Sequence, residues 1–508
     1  MRAIALAFFA IAALLPLATV LGQAFLVEGR FSLANFGTVL AEARQWGLMR
    51  NTLLLGLGTG AGALLLGFPF GFLVTRTDLP LRGLLATLAA VPILLPPLLH
   101  AIAWTDLVPI RGGLAAVAVF SLSTFPIVAV FAGRALDRVD ARREEAALLA
   151  GGPRARARLA TRLAAPAALS GAILALVFAV SDFAVTDYLS SVGPKFNVYA
   201  DEIFTRWQRR GSSGQAAAAA IPPFLLAAAG LLAVATLRRR RALVTLGGDF
   251  VPPSPVRLGR GRGPALAFAV LVVGLGAIVP LASLARTAGS FETVRLALAE
   301  ARLDIGQTIG SALVAAALAA ALALVLAHAA VRARPLAARG IETAALLPFA
   351  IPAVALAVGL IRVWNRPGAI GLVYETRAVV VLALLARYFV FPFHALTAGL
   401  APLDPSLEEA AATAGVRPLR RFLGLVVPLA RPALVSAFLL AFVFAVRELD
   451  VLVLLPSGNR SLLFRIYNAI HFNRPAFVAA LSLVLVFLTV LPIALYRLIA
   501  RRRWEVGA

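Results

Sequence analysis

Two pairs of glutamates are the residues best placed to act on something outside the chain. Glu144-Glu145 is followed by Ala146, Ala147 and Gly151, and Glu408-Glu409 by Ala410, Ala411 and Gly415, 264 residues further on. An aspartate stands five residues before the second glutamate in both places, Asp140 and Asp404. Carboxylates in the opening turns of a short helix are favoured by its dipole. Their chemistry here is docking rather than bond-making. Each acidic, soluble-looking helix sits between long apolar segments, which makes the two read as handles gripped by something outside a membrane.

The second segment is the clearer. Asp404 suits the N-cap and Pro405 the first helical position, and Glu408 and Glu409 fall in the first two turns. Ala410 to Ala414 propagate the helix, and Gly415 can end it in a left-handed cap. Arg417, Arg420, Arg421 and then Pro428 follow. A helix this short is marginal alone. It suits a ridge that fits a partner's groove.

Other chemistries are thinly represented. No Ser-His-Asp set, catalytic carboxylate pair or metal motif stands out. His100, His328, His394 and His471 are scattered, and their spacing supplies no convergent ligands, so structural or interfacial roles are expected. Cysteine is absent, which removes disulfides and thiolate metal sites. Lys195 is the single lysine, between Pro194 and Phe196, so no phosphate-cradling loop of the Gly-Lys-Ser/Thr kind exists. The chain reads as a non-enzyme that binds no cofactor, and nucleotide energy must come from a partner.

The elements that carry the handles are membrane helices. Of 508 residues, 61% are hydrophobic and 14% charged, and the mean hydropathy is +0.91. Runs of about 20 apolar residues recur, enough to cross a ~30 Å hydrocarbon core. Almost all the positive charge behind the formal +24 is Arg in short loops, which sets orientation and meets anionic lipid, so nucleic acid is not expected as a partner. Twelve spans are expected, at roughly 4–26, 50–75, 84–107, 113–133, 163–190 and 216–237, then roughly 264–286, 306–331, 340–362, 376–400, 426–455 and 476–500. The first is too long and too weakly basic for a cleaved signal peptide and is expected to be retained. Arg76, Arg82, Arg134, Arg138, Arg142, Arg143, Arg238 to Arg241 and Arg501 to Arg503 fall on one side if both termini are cytoplasmic. Both handles are then cytoplasmic as well. Arg206, Arg209 and Arg210 break the rule on the opposite side.

The halves repeat. Pro92 and Pro96 correspond to Pro348 and Pro352, and Asn51-Thr52 to Gln307-Thr308, each 256 apart. Phe178-Ala179-Val180 returns as Phe444-Ala445-Val446. Six spans per half make a parallel repeat. The expected domains are 1–237, with a docking loop at about 137–166, and 264–508, with its loop at about 401–428. Residues 238–263 carry Pro252, Pro253, Pro255 and alternating Gly-Arg, and read as a basic, flexible cytoplasmic linker.

Glu-Ala-Ala, three residues, Gly, then a proline thirteen residues later resembles the signature loop of permeases of binding-protein-dependent ABC importers. Glu409-Ala410-Ala411, Gly415 and Pro428 match it; Glu145-Ala146-Ala147 and Gly151 match its front half, while Pro166 lies fifteen residues past Gly151. The resemblance implies an all-α membrane protein of twelve transmembrane helices in two parallel six-helix type I permease domains, here fused. It implies two copies of a cytoplasmic ATP-binding subunit, which hold ATP and Mg and grip the loop helices in clefts. It implies a periplasmic substrate-binding protein on the other side, and residence in the bacterial inner membrane. Arg447-Glu448-Leu449-Asp450 with Phe464-Arg465-Ile466-Tyr467-Asn468 further resembles fused permeases for ferric iron, with thiamine, polyamine and phosphonate permeases near relatives.

Asp182, Asp187, Arg447, Glu448 and Asp450 fall late in the fifth and eleventh expected spans. A charge at a bilayer centre costs roughly 2.5–3.5 kcal/mol. Two readings stand: a polar pathway or gate near the outer mouth, or interfacial groups with Arg447 paired to Glu448 or Asp450. The prolines at 92, 96, 97, 348 and 352 either hinge a gate or are tolerated kinks. An ion-coupled secondary transporter is the rival class, but Arg76 to Gly83 lacks the basic-acidic signature expected between its second and third spans.

Overall fold

In the computed structural model, residues 1–209, 213–239, 250–455 and 460–505 are described. Arg210, Arg240, Arg241 and Pro456 lie outside them, as does much of the linker, 240–249. Among the described residues eight helices are long and apolar enough to cross a membrane, and four helix pairs bent at a short break bring the count to as many as twelve. Among the described residues the sole sheet is a hairpin, Leu26–Val27 against Arg30–Phe31.

Proline sets the bends. Arg82–Leu94 meets Pro97–Leu107 at 99°, and Pro335–Ala350 meets Ala353–Trp364 at 102°. Leu95 and Ile351, each preceding a proline, are extended, as that ring demands. The expected kinks of the third and ninth spans are therefore near-right-angle breaks. Among the described residues three π-helical turns, Ala10–Leu14, Gly274–Ile278 and Phe422–Val426, each end two residues before a proline, Pro16, Pro280 and Pro428. A proline ring clashes with the carbonyl four residues back, and the widened turn relieves that clash.

The chain forms two compact units. The first comprises Met1–Phe36, Arg206–Ala218 and Val294–Ala508; the second comprises Gly37–Thr205 and Ala219–Thr293. Each unit thus contains the opening span of the other sequence half. In the first unit Gly359 lies against the Pro16 carbonyl, where an added Cβ would sit 2.2 Å from the oxygen. In the second, His100 Nε2 meets the Gly276 carbonyl at 2.8 Å. That carbonyl is the one Pro280, lacking an N–H, leaves unpaired. Asp106 accepts hydrogen bonds from Ser283, Arg286 and Thr287 of the same span.

Ala43–Arg76 organises the second unit. Its glycines let two neighbours approach: Gly60 faces the Ala172 carbonyl, and Gly67 and Gly71 face the carbonyls of Phe125 and Ala129. This is the close packing expected of small residues in spans. At 34 residues and 1.5 Å per residue the helix is about 50 Å long, so its ends lie on opposite faces. The Arg76 end carries the first acidic loop. At the other end Thr52 Oγ1 accepts the Tyr199 amide at 3.2 Å, and Arg44 pairs with the buried Glu202 at 3.0 Å.

The first unit repeats this joint with the charges reversed. Thr308 Oγ1 accepts the Leu462 amide at 2.7 Å, and Glu300 pairs with Arg465 at 2.6 Å and Arg474 at 2.9 Å. Arg44 and Glu300 are 256 residues apart, as are Thr52 and Thr308. Each short helix, Tyr199–Gln208 and Leu462–His471, is thereby keyed to its own long helix.

Two expectations need correction. The fifth span ends at Ser181 and the eleventh at Val446, so Asp182 and Arg447 lie at the helix ends rather than inside. The linker is not free at its C-terminal end: Val256 forms a parallel bridge with Thr77, and its amide donates to the Arg76 carbonyl at 2.6 Å.

The keyed joint predicts that Glu202→Arg will destabilise the chain by about 2 kcal/mol by leaving a charge misplaced. Adding Arg44→Glu should recover most of the loss, since the first unit already uses that sign order. Thermal unfolding of the purified chain in lipid nanodiscs reads both. Failure of the second change to restore stability would remove charge keying as the reason for the pair.

Candidate coupling site

Both acidic loops begin as their sequences demand. Asp140 Oδ1 accepts the Arg142 amide at 2.8 Å, and Asp404 Oδ1 accepts the Ser406 amide at 2.9 Å. Each is a side-chain N-cap at the same register.

Glu144 and Glu145 then diverge, because neighbours on a helix point about 100° apart. Glu144 turns inward and is 3% exposed, while Glu145 faces solvent. Arg76 donates to both Glu144 oxygens at 2.8 Å and to the Leu136 carbonyl at 3.0 Å. Arg156 Nε adds a third bond to Glu144 at 2.9 Å. A buried carboxylate is tolerable only when its lone pairs are met in this way.

The second loop is seated by the same logic. Glu408 is half-buried, and Glu409 and Ala410 are exposed. Arg332 Nε donates to Glu408 Oε1 at 2.9 Å, and His328 Nε2 meets Oε2 at 3.0 Å. Arg332 also donates to the Leu403 carbonyl, and Arg421 to the Glu408 carbonyl. Burial would raise the Glu408 pKa, but the bonds from Arg332 and His328 outweigh it and hold the carboxyl below its usual range.

The exits differ. Gly415 has φ +75. The Val416 amide bonds the Ala411 carbonyl and the Gly415 amide the Ala412 carbonyl, both at 3.0 Å, which is a Schellman cap. In the first loop the expected breaker, Gly151, has φ −161, and the positive φ of 69 falls on Gly152. The break is therefore a Gly-Gly step displaced by one residue, after which the chain continues helically to Ser181. Pro428 lies just past the π turn, in the segment that bends by 76° into Arg431–Val446.

Two of the membrane charges cap backbone amides. Asp182 Oδ1 accepts the Val185 amide at 3.0 Å, and Glu448 Oε1 accepts the Val451 amide at 2.7 Å. These are matching caps in the two halves. The second Glu448 oxygen is bonded by the Tyr388 hydroxyl. Arg447 lies over the Phe444 ring, 5.4 Å from its centre. Asp187 sits in the first turn of Ala184–Val192, and Asp450 in the turn after Val446. Among the described residues no cluster of three or more metal-ligating side chains occurs.

Sequence reasoning missed Arg76, Arg156, His328 and Arg332 as holders of the loops. By sequence alone Arg76 reads as an orienting charge and His328 as a structural or interfacial residue. The signal was present: Arg76 and Arg332 are 256 residues apart, the spacing of the repeated prolines.

A family profile described as the inner membrane component of binding-protein-dependent transport systems matches residues 63–241 and 320–505. A sulfate transport system permease protein of Prototheca wickerhamii is 33% identical over 127 residues, 23% of this chain and 49% of that protein. A 2-aminoethylphosphonate transport system permease protein of Salmonella paratyphi A is 30% identical over 157 residues, 31% of this chain and 58% of that protein. A ferric transport system permease protein of Haemophilus influenzae is 28% identical over 129 residues, 25% of this chain and 20% of that protein. The chain spans about half the length of the first two and a fifth of the third.

Two outcomes follow from the seats. Arg76→Ala leaves Glu144 buried beside one guanidinium and should loosen the first loop by about 3 kcal/mol, whereas Glu145→Ala should change stability by under about 0.5 kcal/mol. Hydrogen exchange at 141–150 measures the difference. The second seat should be intact above the ordinary glutamate pKa of about 4.3 and fail as pH falls through the lowered folded value. Intrinsic-corrected exchange at 405–413 should therefore stay flat from neutral pH to about 5 and rise below about 4. The two-domain pattern, matched over most of the sequence, together with the eight to twelve apolar spans among the described residues, makes this chain a multi-pass inner-membrane transport component of the binding-protein-dependent permease family.

Proposed function

We propose that the chain is the transmembrane subunit of an ATP-driven importer. The helices 141–150 and 405–413 dock on two copies of a cytoplasmic ATP-binding subunit, which holds ATP and Mg. A periplasmic binding protein delivers substrate on the far side, and both termini are cytoplasmic. One observation carries the reading: two matching acidic helices, each pinned by one glutamate while its neighbour stays exposed. Pinning from within leaves Glu145, Ala146, Glu409 and Ala410 for a partner. Gly151, Ala147, Ala411, Gly415 and Pro428 shape the same two ridges.

The substrate we propose is ferric iron, on the resemblance of the Arg447–Asp450 and Phe464–Asn468 segments and the ferric-named relative. A second reading, an oxyanion such as sulfate or a phosphonate, is favoured by the higher identity to relatives named for those ions. Asp182, Asp187, Arg447, Glu448 and Asp450 are proposed as the polar mouth of either pathway.

Co-purification with the ATP-binding subunit tests the coupling. Glu145→Arg with Glu409→Arg should weaken association at least about tenfold, and adding Gly415→Leu should abolish ATP-dependent uptake. Survival of both activities ends the docking idea. Uptake of labelled iron, sulfate and 2-aminoethylphosphonate into proteoliposomes with the matching binding protein decides the substrate.

A further inference from the structure

The first loop has a neighbour that the second lacks an obvious need for, the linker segment 250–258. Its contacts converge on the Glu144 seat. The Val251 carbonyl accepts the Ala141 amide at 3.0 Å, which satisfies a donor left unpaired at the start of the acidic helix. The Ser254 carbonyl accepts Arg156 Nη2 at 3.0 Å, and that same guanidinium holds Glu144. The Val256 amide donates to the carbonyl of Arg76, whose side chain also holds Glu144. Beyond the bridge, the Leu258 amide and Arg262 fasten the strand to Asp78.

The composition suits this role. Pro252, Pro253 and Pro255 fix their own φ and keep the preceding residues extended. They also donate no N–H, so the strand offers carbonyls, which is what Ala141 and Arg156 require. Pre-extended backbone has little freedom to lose on docking. The second seat is closed instead by His328 and by Arg421.

We propose that residues 250–258 form a fixed wall of the first coupling seat and position helix 141–150, so that this part of the inter-half junction belongs to the transmission rather than to a tether. Arg156, Val251, Ser254 and Val256 are then positioning residues. The proposal rests on the coupling reading above. Force applied to the exposed ridge would reach Arg76 and the long helix through a braced helix; without the wall, the ridge would yield locally.

The test uses the full chain in lipid nanodiscs with its ATP-binding subunit. Val256→Pro removes the bridging N–H without touching Glu144, and Arg156→Gln cuts the bonds to both Ser254 and Glu144. Each should speed hydrogen exchange at 141–150 by about tenfold and leave 405–413 within about twofold. Stimulation of ATP hydrolysis by the chain should fall about tenfold while the subunit remains bound, and Arg156→Lys should recover part of it. The wild-type chain has no cysteine, so Ala141→Cys with Val251→Cys gives an unambiguous cross-link. Their backbone hydrogen bond holds the two residues side by side, and disulfides span Cα separations of about 4.4–6.8 Å. The locked chain should keep its stimulation. Unchanged exchange at 141–150, equal loosening of both loops, unimpaired stimulation after loosening, or no cross-link would each overturn the proposal. If no ATP-binding subunit associates with the wild-type chain, the coupling reading fails instead, and exchange and cross-linking still decide where the wall stands.

Discussion

The structure depends on a carboxylate–guanidinium bond made twice, once at each acidic loop. Arg76 with Glu144, and Arg332 with Glu408, join an acidic helix to the end of a span. A nine-residue helix such as Pro405–Thr413 cannot hold its own shape in water. The bond supplies what propensity lacks, because its partner sits on a long, packed helix. The bonds are also directional: Arg76 reaches both Glu144 oxygens, while Arg332 and His328 each take one oxygen of Glu408, so either carboxylate meets its donors only in one orientation. One glutamate fixes the rotation of the helix, and that rotation decides that the next glutamate faces outward. Any partner gripping the ridge would therefore pull on a span rather than on a loose loop.

The two seats solve one problem with different groups. The first buries its glutamate between Arg76 and Arg156 and is walled by the linker; the second exposes more of its glutamate and adds His328. The first exits through a Gly-Gly step and the second through a Schellman cap. The joint at the opposite face shows the same freedom, since Arg44–Glu202 becomes Glu300–Arg465. A single chain permits this, because each half meets its own partner residues in every molecule. Reversed charges also discourage the wrong pairing: Arg44 would repel Arg465, and Glu300 would repel Glu202.

Much of this was legible from residue order. Apolar length located the spans, although the fifth and eleventh end nine residues earlier than expected, and Asp404, Pro405 and Gly415 occupy the cap positions that their chemistry favours. Prolines marked the breaks. What stayed hidden depends on partners distant in sequence. Nothing local to Arg76 says that it will meet Glu144, 68 residues on. The linker misled because Pro-rich, basic sequence without periodicity usually stays unbound, whereas here its carbonyls meet donors of one loop. Gly151 misled because either glycine of the pair can take positive φ, and only the following Pro153, which constrains the residue before it, favours Gly152 as the turning point.

The polar residues near the spans follow one further rule. In an apolar surround every backbone group must find a partner, and each proline break releases carbonyls. Arg387 answers the break at Pro352 by donating to the Phe349 and Ile351 carbonyls, at 3.2 and 2.9 Å. His100 answers Pro280 by meeting the Gly276 carbonyl. Asp182 and Glu448 answer the helix ends by accepting amides three residues on. A substrate pathway lined by these groups would have to compete with the backbone for them. Groups so committed suit a weakly binding route better than a tight one, because releasing a buried acceptor or donor costs about 1–3 kcal/mol.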